Sequence, residues 1–410
     1  MTRVVVTGVG AVTPLGIGAE AYWDGLTAGR SGIRRIEHFD ASDLEVQIAG
    51  EVPGFVPKDH MDGKAARRMA RFAQFGVAAA REAVENACLK ITDENREDVG
   101  VVVNTGGGGV PSIEDDVRNM IERGPGRVSP FLIPIFAPNM ASCQVSIQLG
   151  IRGPVMTSVA ACASGVQAFV DAVHMIERGE VDVVITGGTE SAVTPVALTS
   201  LAHMGALSRR NDEPAEASRP FDTGRTGFVF SEGAAAMVLE SEEHAARRGA
   251  HVICQAHGGA YTADAFHITA PEPGGGGAAL AMRRALKRAE MNPDAVDYVA
   301  AHATATQIGD IAETEALKLV FGDHARDLAI SANKSMLGHL LGAAGAVSAL
   351  ACVLAIRDGK VPPTINLTDP DSACDLDYVP NVSREMPVNV AVANGFGFGG
   401  QNACAVFSRV

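Results

Sequence analysis

The sequence predicts a layered α/β protein, in which helices cover a sheet and the two halves of the chain repeat one plan. Three observations lead there. Short β-rich runs alternate with helical patterns along the whole chain; glycine is abundant, at 45 residues, while aromatic and charged residues are scarce; and two long segments echo each other in order.

The alternation comes first, because it separates a layered α/β protein from an all-helical or all-β one. Strands are expected at Val4–Gly8, Val99–Asn104, Val181–Thr186, Met237–Glu240, Val296–Ala300, Ala329–Ala332 and Val388–Ala393. The composition agrees: 47% hydrophobic, 5% aromatic and 20% charged residues suit helices packed closely on a sheet and exclude a disordered chain. The echo completes the case. VMTSVAACASGVQAFVDAVHMIERGE and LAISANKSMLGHLLGAAGAVSALACVLAIRDGK both read strand, turn, apolar helix and a glycine stop, and GFVFSEGAAAMVLES and GFGFGGQNACAVFSRV both lead from glycine-rich turns into a strand. An internal duplication follows, with halves at 1–250 and 251–410. Cys162 and His339 then begin equivalent helices, and a pseudo-twofold axis brings their amino-terminal ends to one junction.

A chain of 410 residues buries a large core, as two or three domains or one duplicated unit. Proline- and glycine-rich connections at 52–57, 124–138, 271–277 and 361–363 are too short to be flexible linkers. The net charge of −14 disfavours nucleic acid as a partner. Seven dispersed cysteines without a CxxC argue for reduced thiols in the cytoplasm and against a disulfide framework or a zinc site; no metal is expected. MTRVVVTGVGAVTPLG reads as a strand start and not a signal peptide. Leu340–Ile356 is as apolar as a short membrane span, but its glycines and serine suit a helix buried in a large core.

Cys162, in SVAACASGVQA, lies between a strand and an apolar helix. There it faces unpaired N–H groups and the positive end of the helix dipole, both of which favour thiolate, and its small neighbours allow a tight elbow. A buried, inert cysteine is the competing reading. His302, in AAHATATQIGD, follows a strand end; His339, in NKSMLGHLLGAAG, stands at the mouth of the apolar helix, five residues after Lys334. A lone histidine there is ordinarily a core residue, but two histidines and a cysteine at strand-to-helix junctions point to chemistry. His267 shows no such pattern. The glycines of NGFGFGGQN, 394–402, let backbone N–H groups approach a ligand. Gly106–Gly109 lacks the Lys-Ser/Thr of a nucleotide-binding loop, which excludes that role.

Together VVVTGVGAVTPLG, ACASG, SRPFDTGRTGFVFSEGA, AHATATQIGD, KSMLGHLLGAAGA and NGFGFGGQN, in this order along the chain, resemble the β-ketoacyl-acyl carrier protein synthases of the elongating type I/II group. The resemblance implies a thiolase-like fold: a duplicated βαβαβαββ unit in five alternating layers, assembled as a homodimer. It implies a Cys-His-His site of Cys162, His302 and His339, with Cys162 taking an acyl group from acyl carrier protein. Both histidines would stabilise the charge formed when the malonyl thioester loses carbon dioxide. The Cys162 and Phe398 amides would form an oxyanion hole, Lys334 would hold the local charge network, and Phe398 would gate the malonyl group. Thr304 and Thr306, with Phe396, fall where the phosphopantetheine arm binds, and no bound cofactor is implied. Gly107 falls at the acyl-pocket position, implying a wider chain tunnel. Lys64, Arg67 and Arg68, recurring at helical spacing, with Arg127, would dock the acidic carrier; an ordinary solvated helix face is the alternative. One departure is Ser348, where the family usually has a glutamate; Asp310 or Glu313 would then partner Lys334. A stand-alone polyketide ketosynthase fits as a second reading. A non-catalytic, chain-length-setting partner would lack Cys162, and a biosynthetic thiolase fits the paired histidines less well.

Overall fold

Ten strands carry the fold, and their order accounts for the echo in the sequence. The computed structural model describes residues 2–410. One set of elements runs β1 (Val4–Thr13), α1 (Arg71–Asn86), β2 (Val99–Asn104), α2 (Val110–Arg123), β3 (Val155–Met156), α3 (Ser164–Glu177), β4 (Val183–Glu190) and β5 (Gly233–Ser241). The other runs β6 (Cys254–Ala263), α4 (Gly276–Arg288), β7 (Tyr298–Ala300), α5 (Gln307–Phe321), β8 (Ala329–Ser331), α6 (Ala344–Asp358), β9 (Val390–Gly397) and β10 (Gln401–Ser408). Each set is βαβαβαββ.

The strands form one path, β8-β7-β9-β10-β6-β1-β5-β4-β2-β3, to which the short strand Gly16–Ile17 adds beside β1. Within this sheet the two sets join where Val4–Val6 pairs antiparallel with Cys254–Ala256. Outward from that join the pairings match: β5 is antiparallel to β1 and β4 while β4, β2 and β3 are parallel, and β10 is antiparallel to β6 and β9 while β9, β7 and β8 are parallel.

Parallel strands need both faces covered. Helices α3 and α6 lie against each other in one central core with strands of both sets. Helix α1 covers the outer face of the first set, and α4 and α5 cover the outer face of the second, each over its own core. The result is the five-layered thiolase-like fold. Residues 344–356 of α6 are all buried. Residues 341–358 are long and apolar enough to cross a membrane, but they are 83% buried within the protein. Their hydrophobicity serves the core. Where α3 and α6 meet, a Cβ on Gly165 would lie 2.4 Å from the Ala346 nitrogen, and one on Gly345 would lie 2.6 Å from that of Val166. Only glycine permits this approach, which sets the two helix ends side by side.

The structure adjusts four sequence expectations. Strand β6 has no counterpart among the expected strands, since its paired glycines and its His and Gln conceal the alternation. Strand β9 does not stop at Ala393: Asn394–Gly397 pairs with Gln401–Cys404, so the glycine-rich segment is a hairpin whose turn is 398–400. Cys162 is the middle residue of a one-turn 3-10 helix, Ala161–Ala163, ahead of α3; its counterpart ahead of α6 is Gly342, in Leu341–Ala343, and His339 stands three residues earlier. The basic run is no continuous helix. Asp62 caps a single turn, Gly63–Ala66, and Ala70 is extended before α1 begins.

Candidate active site

The cysteine is set by local bonds of the ACASG elbow. Ala161 adopts φ +48°, and the Ser164 hydroxyl accepts from the Ala160 amide (2.9 Å) and donates to the Ala161 carbonyl (2.7 Å). Asn104, ending β2, clasps both sides: its Nδ2 donates to the Ser164 carbonyl (2.9 Å), and its Oδ1 accepts from the Ser158 amide (2.7 Å). A Cβ on Gly397 would lie 2.9 Å from the Cys162 nitrogen, so the C-terminal hairpin rests directly on the elbow. The amides of Phe398 and of Cys162 itself face the sulfur.

His302 follows β7 on a strained turn, with Ala303 at φ +29° and Ala305 at φ +61°. Carboxylates of α5 hold that turn. Glu313 accepts from the His302 (2.8 Å) and Ala303 (2.7 Å) amides and from Asn394 Nδ2 (3.2 Å), and Asp310 accepts from the Ala305 amide (3.1 Å). His339 is held by the GFVFSEGA segment: its N–H donates to the Val229 carbonyl (2.7 Å) and its carbonyl accepts from Ser231 (3.0 Å). The two imidazoles lie edge to face, their ring centroids 5.5 Å apart at 84°. Phe396 lies 5.5 Å from His302, and Phe228 lies 5.1 Å from His339.

Cys162, His302, His339, Thr304, Thr306, Phe396 and Phe398 all line one cavity of about 510 Å³. Thr304 and Thr306 share a hydroxyl hydrogen bond of 3.1 Å on its wall. Lys334 is buried behind this wall, where its charge acts on Cys162 and both histidines. Gly107 lies outside the cavity lining, its amide turned to Glu190. Lys64, Arg67, Arg68 and Arg127 are exposed, and Arg68 stacks 5.0 Å over Phe131, four residues after Arg127. His267 is exposed, its ring nitrogen capping the Thr269 and Ala270 amides, and it does not line the cavity. Ser348 is buried in α6.

Burial dominates the electrostatics. It pushes the Cys162 thiol up to about 11, against the pull of Lys334 and of the Phe398 and Cys162 amides. The expected preference for thiolate therefore does not hold in the resting site, because desolvation of the sulfur outweighs the helix end. Burial, then Lys334, holds both histidines well below the ordinary imidazole range, so both are neutral at pH 7. Lys334 is itself lowered to about 8 by burial, opposed first by Glu313, then by Cys162 and Asp310. Glu313 and Asp310 thus both act where the sequence left the lysine's partner open.

Two residues of the site were not singled out in the sequence. Arg225 is fully buried and donates to the Thr306 (3.1 Å) and Gln307 (2.9 Å) carbonyls, bracing the threonine wall. Glu190 crosses between the two sets of elements. Arg225 belongs to SRPFDTGRTGFVFSEGA, which could have marked it; Glu190 had no such local signal. Among the described residues, no three His, Cys, Asp or Glu side chains converge as a metal site.

Comparison with known proteins agrees over the whole chain. Residues 1–245 match the β-ketoacyl synthase N-terminal domain, and residues 253–368 match the C-terminal domain. The chain is 47% identical to 3-oxoacyl-[acyl-carrier-protein] synthase 2 of Synechocystis sp., over 99% of this chain and 98% of the relative. It is 46% identical to the Coxiella burnetii protein of the same name, over 100% and 99%. Among solved structures, the ishigamide ketosynthase/chain length factor is 35% identical with a TM-score of 0.93, covering 100% of this chain and 99% of that one. The complex AntDE:AntF, a type II polyketide acyl-carrier protein with its ketosynthase bound to the hexaketide, gives 32% identity and a TM-score of 0.91 over 100% of both chains. A β-ketoacyl synthase from Burkholderia phymatum gives 35% and 0.92, again over 100% of both. With both domains matched and full-length relatives near half identity, the chain belongs to the β-ketoacyl synthase family.

Proposed function

We propose that this protein is a 3-oxoacyl-acyl carrier protein synthase that elongates acyl chains in fatty acid synthesis by decarboxylative Claisen condensation. The observation that carries this reading is the convergence of Cys162, His302 and His339 on one cavity, with two backbone amides facing the sulfur. Cys162 attacks the acyl thioester, and its proton passes to the phosphopantetheine thiol of the carrier as that thiol leaves. The malonyl arm then enters past Thr304 and Thr306, with Phe396 beside them and Phe398 gating the way. His302 and His339 each donate a hydrogen bond to its thioester oxygen, stabilising charge that appears only as carbon dioxide departs. The enolate carbon attacks the Cys162 thioester, the tetrahedral oxyanion is held by the Cys162 and Phe398 amides, and collapse releases the 3-oxoacyl product and a Cys162 thiolate, which takes up a proton from solvent. Lys334 keeps the electrostatic balance. No bound cofactor enters these steps, since decarboxylation supplies the carbanion.

The same reading covers organisation and partners. Residues 1–250 and 251–410 are the two thiolase-like halves, supported by the matched strand pairings. Acyl carrier protein docks on Lys64, Arg67, Arg68 and Arg127, an exposed basic face on an acidic molecule. The protein is a homodimer, paired along edge strand β3, where Met156 (43%) and the neighbouring Val159 (55%) are exposed, with Ile147 (64%) of the preceding helix Met140–Leu149. It works in the cytoplasm, in keeping with seven free cysteines.

A second reading, a stand-alone polyketide ketosynthase, draws on the polyketide enzymes among its structural neighbours. Product analysis separates the two. With acyl- and malonyl-acyl carrier protein, the fatty acid reading expects one two-carbon extension that stops at the 3-oxoacyl product. Repeated extension without reduction favours the second reading, and no product at all defeats both.

A further inference from the structure

Glu190 ends β4 with no exposed surface. Its carboxylate accepts from the amides of Gly106 (2.8 Å), Gly107 (3.2 Å) and Gly342 (3.1 Å), and from the Thr105 hydroxyl (3.3 Å). Three converging N–H groups at the foot of α6 form an anion hole. Pseudo-symmetry shows what it matches. Gly342 and Cys162 occupy the same place in their 3-10 turns, behind Leu341 at φ +42° and Ala161 at φ +48°, and each main helix starts two residues on. At Cys162 the strand end opposite is Gly397, with the Phe398 amide; at Gly342 it is Glu190. The duplicated fold thus builds two anion holes, one beside the thiol and one filled by the chain's own Glu190 carboxyl group.

The filled hole bears on the open one in two ways. It ties the loop after β2 to the turn that follows His339, so the second histidine's approach is anchored to the first set of elements. Its negative charge also opposes ionisation of Cys162. We propose that Glu190 is a positioning residue, whose carboxylate occupies the second anion hole to fix the His339 turn and to set a negative charge against the resting nucleophile. The inference rests on Cys162 being the nucleophile, but its test does not.

The charged and titratable groups around the sulfur are Lys334 behind the wall, His302 after β7, His339 before α6, and Glu190 from β4. Glu190→Gln keeps the shape and removes the charge; Glu190→Asp keeps the charge. Iodoacetamide alkylation, read at the Cys162 peptide by mass spectrometry at about pH 8, should run about threefold or more faster in E190Q, equivalent to half a pKa unit. E190D should stay close to the parent. A folded E190Q that alkylates at the parent rate overturns the proposal.

The unmodified protein gives an independent check, should E190Q fail to fold. Burial raises Glu190 to about 7. As it gains charge there, the rise of alkylation with pH should slacken, before a second lag near 8 where Lys334 loses its proton. A rise of unit slope through pH 7 rejects the proposal. Absence of acyl loading in the parent would instead remove the nucleophile reading, while leaving the thiol titration interpretable.

Discussion

Glu313→Gln removes one charge from the site and changes almost nothing in shape. Glu313 is 2% exposed, and its two shortest bonds, 2.8 and 2.7 Å, go to the amides of the turn that aims His302. That turn contains Ala303 at φ +29°, a strained conformation that these bonds hold in place. Glutamine offers one oxygen to the two amides and turns an NH2 on the other, leaving a buried N–H unpaired at a cost of about 1–3 kcal/mol. The surviving bond loses its charge assistance, so the total should reach about 2–4 kcal/mol. Urea unfolding should show a lower midpoint at unchanged slope.

The second consequence is electrostatic. Glu313 is the main influence keeping the Lys334 ammonium as high as about 8. Without it the lysine becomes neutral near physiological pH, the Cys162 thiol loses its chief counter-charge, and acyl loading should slow by about tenfold or more, one pKa unit. The sign also appears in stability. The folded pKa of Lys334 lies below its unfolded value, so the lysine's contribution to stability rises with pH above about 8; in the variant that rise should start at lower pH. Parent-like unfolding and parent-like loading in E313Q would refute the reasoning.

Either His302→Ala or His339→Ala should still load an acyl group but lose carbon dioxide release from malonyl-acyl carrier protein, followed as labelled carbon dioxide; intact release with lost loading would reverse the assignment. Because both rings stay neutral well below the ordinary imidazole pKa, release in the parent should remain level from about pH 7.5 to about pH 6, where an unperturbed histidine would fall away. Charge reversal at Arg67 and Arg68 should raise KM for acyl carrier protein with little change in kcat, and added salt should do the same to the parent; equal kinetics would place the carrier elsewhere.

What could be read in the sequence was local. Cys162, His302 and His339 each stand in a short pattern where strand gives way to helix, and the echo between two such patterns anticipated the symmetry that brings them together. What escaped was long-range. The bond from Glu190 to Gly342 joins residues 152 apart, and Arg225 reaches Thr306 across 81, with no periodicity to announce either. Protonation was missed for the same reason: the helix end that favours thiolate is visible in the sequence, but the burial that overrides it depends on the packed whole. The helical reading of the basic run failed at Asp62 and Ala70, where a cap and an extended residue confine the helix to one turn.

Both the loading and the condensation steps pass through Cys162 as the acyl acceptor. Intact-protein mass after incubation with acyl-acyl carrier proteins of graded length tests this directly. The parent should gain the mass of one acyl group, and Cys162→Ala, folded by its circular dichroism, should gain none at any length. An acyl mass on Cys162→Ala would place the nucleophile elsewhere and contradict the account.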